Sequence, residues 1–203
     1  MARSIFTMII DKNIVVLGVG HSGTRHLTSI LMSFGLNADV VDEHAENPKI
    51  VALNAQAIQT GALDIDCASA LLASLGRPFV VKDPRFVKTL NMWKPLFKDC
   101  MLILLEKNSD EILKSHVRRN EDVSLETIEY LQQLARKQYN NFRGDKISIT
   151  HEQIMEILKL TKRYKINLTV QQTSAVIHYR MPIETVSINI SSIDRRSFSE
   201  ATS

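Results

Sequence analysis

The chain alternates between short, almost wholly apolar runs and longer stretches in which apolar residues recur every three or four positions. Residues 13–18 (NIVVLG) are apolar, β-branched and closed by glycine, the pattern of a strand buried on both faces of a parallel sheet. From Thr24 to Phe34, Leu27, Ile30, Leu31 and Phe34 keep helical spacing, and Gly35 ends the segment. A second strand is expected over 38–41, a polar loop over 42–48, and helical sequence from there through about Leu75. Residues 78–81 read as a third strand, stopped by Lys82-Asp83-Pro84-Arg85, and 100–105 (CMLILL) as a fourth. Helices are expected over 110–120 and 125–142, a short strand over 146–150 and a helix over 152–160. Segments 168–179 and 181–190 alternate and are β-rich, and from about residue 190 the chain is polar without a period, which predicts a flexible tail. Apolar strands separated by helices predict an α/β fold, a three-layer α/β/α domain around a central parallel sheet. No repeat or linker divides residues 1–203, so one domain is expected.

Composition narrows the class. Of 203 residues, 44% are hydrophobic and 23% charged, which excludes disordered and fibrous chains. The net charge of +3 suits an anionic ligand but is too weak for a nucleic-acid partner. Cys67 and Cys100 have neither disulfide-framework nor zinc-ligand spacing, and each is expected as a small buried hydrophobe. The N-terminal apolar run is broken too early for a signal peptide, and no apolar stretch approaches the roughly 20 residues of a membrane span. A cytoplasmic protein with no membrane partner is the simplest expectation.

Candidate chemistry begins at Gly18-Val19-Gly20-His21-Ser22-Gly23-Thr24-Arg25, between the first strand and the first helix. A glycine-rich turn there offers backbone N–H groups and the positive end of a helix to one anion, which makes it P-loop-like. It is not an ATP loop in detail, since Gly18 and Gly23 keep the glycine spacing but Thr24 and Arg25 follow where lysine and a magnesium-binding hydroxyl belong. Gly18, Gly20 and Gly23 also fit a dinucleotide pattern, whose acidic partner is met only loosely by Asp42.

The same residues resemble the phosphosulfate-binding loop of the sulfotransferases that use 3′-phosphoadenosine 5′-phosphosulfate (PAPS). Ser22-Gly23-Thr24 match the Ser-Gly-Thr of cytosolic and bacterial members, and Gly23-Thr24-Arg25 match the heparan-type branch. His21 stands where the family carries Lys or Arg. A second likeness is Lys107 with Ser115 eight residues on, in place of the family's Arg and Ser that hold the 3′-phosphate. A third is VVKDPRF over 80–86, similar to the Lys-Asp-Pro-Arg of bacterial members. These likenesses span about residues 13 to 120.

The resemblance implies a sulfuryl donor, PAPS, and no metal. Gly20, His21, Ser22, Gly23, Thr24 and Arg25 would hold the 5′-phosphosulfate, and Lys107 and Ser115 the 3′-phosphate. Lys82 and His21 would add positive charge or a hydrogen bond at the leaving oxygen. The base that deprotonates the acceptor would be Glu43 or His44, with Asp42 and Glu46 behind them. The acceptor, a small molecule or carbohydrate hydroxyl or amine, and the oligomeric state stay open. Two other readings stay open as well: a P-loop nucleotide kinase or NTPase, and a non-catalytic descendant that only binds nucleotide.

Overall fold

Strand β1 (Asn13–Leu17) is buried along its whole length, and its side chains divide between two separate cores. Val15 and Leu17 enter one hydrophobic cluster and Ile14 and Val16 the other, as the two-residue period of a strand requires. The computed structural model describes residues 12–155. Its sheet has four parallel strands in the order β2-β1-β3-β4, with β2 (Val80–Lys82), β3 (Cys100–Glu106) and β4 (Lys146–Thr150). Val15 pairs with Val81 on one side and Leu102 on the other. Helix α1 (Thr24–Ser33) covers one face through Leu27, Ile30 and Leu31. Helices α2 (Pro48–Thr60), α3 (Ile65–Leu75), α4 (Phe86–Trp93) and α6 (Leu125–Asn140) cover the other. Helix α5 (Ser109–Val117) follows β3. The fold is therefore α/β with helices on both sides of a parallel sheet, as the alternation of apolar runs predicted.

Trp93, Phe86 and Phe97 anchor the larger core, with Trp93 stacked on Phe97 at 5.3 Å and edge-on to Phe86 at 5.6 Å. Their burial explains why the segment after Pro84 folds as α4, an element with no assignment in the sequence reading.

Three expectations are corrected. Residues 38–41 form no strand; only Asn37 bridges to Phe79, in parallel, at the outer edge of β2. Beyond it the Asn37 side chain accepts from the Asp39 amide at 2.9 Å, Asp39 takes a left-handed φ of 57°, and Val40 is 71% exposed. An Asx-type turn thus outcompetes the ladder. The helical run after Pro48 breaks in two at Gly61, whose φ of 75° ends α2, and Asp64 caps α3. Cys67 is exposed at the start of α3, whereas Cys100 is buried in β3, and burial pushes its thiol up to about 12. The expected helix over 152–160 starts at residue 151 and runs to the end of the described residues. The segments 168–179 and 181–190 and the expected tail lie outside the described residues. Among those described, no helix is long and apolar enough to cross a membrane.

Candidate functional site

The chain leaves β1 toward β2 on one side, while β3 leads to β4 on the other, so the order reverses between β1 and β3. At such a reversal the loops after the two strands diverge and leave a crevice at the carboxyl ends, where open α/β sheets bind ligands. The glycine loop follows β1 there, and Lys107 follows β3.

Local hydrogen bonds set the loop's shape. The Val19 carbonyl accepts from the Ser22 amide at 3.2 Å and from the Ser22 hydroxyl at 2.7 Å. Ser22 is thus buried as a brace of the turn rather than an outward-facing donor. His21 and Gly23 both take positive φ, 63° and 99°. Gly18 is required by packing, since a Cβ there would lie 2.8 Å from both Ser22 Oγ and Thr24 Cγ2; at Gly20 it would meet nothing. A Cβ on Gly23 would strike the His151 ring at 2.6 Å, so His151, just past β4, lies against the loop.

Helix α1 has no side-chain cap and no acidic residue in its first turn. Asn47, Asp64, Asn108 and Ser124 cap α2, α3, α5 and α6. The first-turn amides of Thr24 and Arg25 therefore keep donors and a positive dipole end for an external anion. Arg25 is exposed beside them and Thr24 is buried.

The structure brings three expected residues together. His21 Nδ1 lies 3.2 Å from Ser115 Oγ, and Lys107 Nζ lies 3.5 Å from the His21 carbonyl. These contacts join residues about ninety positions apart across the crevice. Gln132 of α6 fixes the connection, donating to the Lys107 carbonyl at 2.6 Å and accepting from the Ser109 hydroxyl at 2.6 Å. Asn108 caps α5 in the same turn.

Sequence reasoning missed His116, Glu121 and His151. Glu121 Oε2 lies 3.1 Å from His21 Nε2 and 2.6 Å from His116 Nδ1, and the two imidazole centroids are 4.1 Å apart. Burial, then the neighbouring His116, lowers the His21 pKa, with Glu121 opposing in part. Without a ligand His21 is thus held toward its neutral form, a hydrogen-bonding group rather than a substitute for the family's fixed cation. The hydrogen bond from His116 lowers the Glu121 pKa. Glu121 arrives through the turn after α5, where Asn120 has a φ of 57° and the Glu121 amide returns to the His116 carbonyl. No local sequence pattern announces that reversal. The adjacency of His116 to Ser115 was the one available signal.

The remaining expected residues form a second group at the end of β2. Lys82 is 5% exposed and donates to Glu46 at 2.6 Å and to the His44 carbonyl at 3.1 Å. Arg85 pairs with Asp83 at 3.1 Å, and Asn54 donates to the other Asp83 oxygen at 2.8 Å. Glu43 and His44 are solvent-facing, 3.5 Å apart, with the Glu43 side chain 83% exposed. The Asp42 carboxylate accepts from the His44 and Glu46 amides and so shapes the loop that carries both.

Among the described residues, two clusters have donors suited to a cation: His21 with His116 and Glu121, and Glu111 with His151 and Glu152. Compared with known proteins, the chain matches no family model and no curated protein.

Proposed function

We propose that the chain is a PAPS-dependent sulfotransferase with a P-loop-like phosphosulfate site. The observation that carries this reading is the meeting of His21, Lys107 and Ser115 beside an uncapped helix N-terminus. A 5′-phosphosulfate would lie against the amides of residues 20–25, with Arg25 close by. The 3′-phosphate would take Lys107 and Ser115, a cation and a hydroxyl already within reach of the loop.

Sulfuryl transfer has a loose, anionic transition state, so positioning and fixed dipoles supply most of the acceleration. An acceptor O–H or N–H attacks sulfur as the S–O bond to the bisphosphate breaks, and the acceptor's proton passes to a base. Glu43 and His44 both meet solvent, and either would serve as the base for an acceptor that enters on that side. Both ring nitrogens of His21 are engaged, Nδ1 with Ser115 and Nε2 with Glu121, so His21 would shape the loop beside the departing phosphate oxygen and the loop amides would donate to it. Lys82 is already paired with Glu46 and would tune the β2 end of the site without contributing an uncompensated charge. The Ser22 hydroxyl contributes through the loop it braces.

That ion pair, together with His21 in place of a fixed cation, favours as second reading a descendant that binds the nucleotide without transferring sulfate. Thermal melts test the first step: 3′-phosphoadenosine 5′-phosphate should raise Tm, and ATP with magnesium should not. Stabilisation by ATP–magnesium alone overturns the reading in favour of a kinase or NTPase. Labelled PAPS then separates the remaining two, through appearance or absence of sulfated product over a panel of sugars, alcohols and amines.

A further inference from the structure

His21, His116 and Glu121 come from two elements that are distant in sequence, and their ligating atoms all lie within 4.8 Å of one another. We propose that they form a site for one d-block dication of the Zn2+ class, pinning the glycine loop to the C-terminal turn of α5. Two imidazole nitrogens and one carboxylate oxygen are a donor set for such ions, whereas magnesium and calcium prefer oxygen ligands throughout.

The spacing suits a small tetrahedral ion. With metal–ligand bonds of about 2.0–2.1 Å, tetrahedral donors stand roughly 3.3 Å apart. His21 Nε2 is already 3.1 Å from Glu121 Oε2, His116 Nδ1, at 2.6 Å, needs to retreat by about 0.7 Å, and the two imidazole ligand nitrogens lie within 4.8 Å of each other. The imidazoles are largely enclosed, 14% and 11% exposed, while the Glu121 side chain is 41% exposed. Enclosed nitrogens fix the site's position, and the open carboxylate side gives an ion a way in and leaves room for water as a fourth ligand.

Protons balance without a net change. Two neutral imidazoles facing Glu121 carry their N–H on His21 Nε2 and His116 Nδ1. When the ion takes those nitrogens, each proton moves to the other nitrogen of its ring. On His21 that nitrogen is Nδ1, and Ser115 Oγ lies 3.2 Å away to accept from it. A partner that holds the second ring N–H is what orients a metal-binding histidine. The competing cluster, Glu111 with His151 and Glu152, has a single imidazole and two carboxylates, a poorer match to the same ions.

The inference does not depend on the sulfotransferase reading, because metal binding is measured with no nucleotide present. The test titrates chelator-treated full-length protein with Co2+, read by its visible d–d absorption, and with Zn2+ by calorimetry. One equivalent should bind. Glu121→Gln and His116→Ala should each weaken binding at least about tenfold, and His151→Ala should leave it unchanged. Glu121→Gln changes an exposed turn, so far-UV circular dichroism should match the parent. No Co2+ absorption in the parent protein overturns the proposal. So does binding that survives both Glu121→Gln and His116→Ala, or binding lost in His151→Ala, which would assign the ion to the other cluster.

Discussion

The carboxyl ends of β1 and β2 both carry charged residues, but they are finished in opposite ways. At β2 the polar groups are answered within the protein, and all but Arg85 are largely buried. Lys82 meets Glu46, Arg85 meets Asp83, and Asn54 joins Asp83 to the Thr89 hydroxyl and the Trp93 indole at 2.6–2.8 Å. At β1 Arg25 stands exposed beside the uncapped start of α1; α4 after β2 also lacks a side-chain cap, but there Asp83 accepts from the Arg85 amide. A satisfied network stabilises the fold because each buried group would be costly alone; donors left facing solvent add little stability and remain usable for a ligand. The two charged strand ends, GHSGTR and KDPR, thus divide into one whose donors are left facing solvent and one whose groups hold the sheet edge.

The sharpest way to break this contrast is to remove the centre of the β2 network. Asn54→Ala should destabilise the protein by about 3 kcal/mol, since it strands the Trp93 N–H and one Asp83 oxygen in the core and leaves the Thr89 hydroxyl only its bond to the Arg85 carbonyl. Urea unfolding measures this, and a loss below about 1 kcal/mol would mean that the network is not structural. A smaller loss is expected at the loop. Gly18→Ala drives a methyl to 2.8 Å from Ser22 and Thr24 and to 3.2 Å from the Leu105 carbonyl, at a cost of about 1–3 kcal/mol. Gly20→Ala, with open space around it, should stay within about 0.5 kcal/mol of the parent. If the two glycine variants unfold alike, the loop is not packed as described.

These contrasts also explain what could be read from the chain. The strands were legible because β1 and β3 are buried on both faces and so appear as unbroken apolar runs, and α1 and α6 because each keeps an apolar stripe. The strand expected at 38–41 failed since a side-chain turn at Asn37 and a left-handed Asp39 compete with pairing, and β-branched residues alone cannot reveal that. Helix α4 was overlooked although Phe86, Val87, Leu90 and Trp93 keep helical spacing; its shortness, eight residues just after Pro84, hid a stripe that the sequence does carry. At the site, the loop glycines and the Lys107–Ser115 spacing were legible as local patterns. The pairing of Lys82 with Glu46 was not, nor was the inward turn of Ser22, since both depend on which elements the sheet brings together.

Ligand binding should sharpen the comparison next. Lys107→Ala should weaken 3′-phosphoadenosine 5′-phosphate about 10–100-fold, the loss of one charge-assisted contact. It should change stability little, because Gln132 grips the residue's carbonyl and not its ammonium. Lys82→Met should do the reverse, lowering stability by leaving Glu46 buried with only the half-exposed Arg85 for a partner, with less effect on the nucleotide. Calorimetry with the bisphosphate and urea melts on both variants check the pair, and equal effects on binding would merge the two strand ends into one site.

The smallest expected effect concerns pH at the floor of the loop. Burial first, then Lys107, lowers the His151 pKa below 6.5, while Glu152 and Glu111 oppose in part. His26, whose own pKa is lowered by burial first, then by Arg25 and His151, is the other titrating neighbour. As pH falls through 6.5 the unfolded chain takes up a proton at residue 151 that the folded chain resists, so stability declines in that direction. The carboxylates with lowered values, Glu121, Glu152 and Asp64, lose their contributions at lower pH still, below their ordinary 4.5 or 3.8. His151→Gln should therefore flatten the decline in stability between about pH 7 and 5.5 without removing it, because His21 and His26 are also held below 6.5. Parallel pH profiles for parent and variant would mean that His151 is solvated and does not underlie Gly23. That would leave the loop open on a side where the packing against Gly23 closes it.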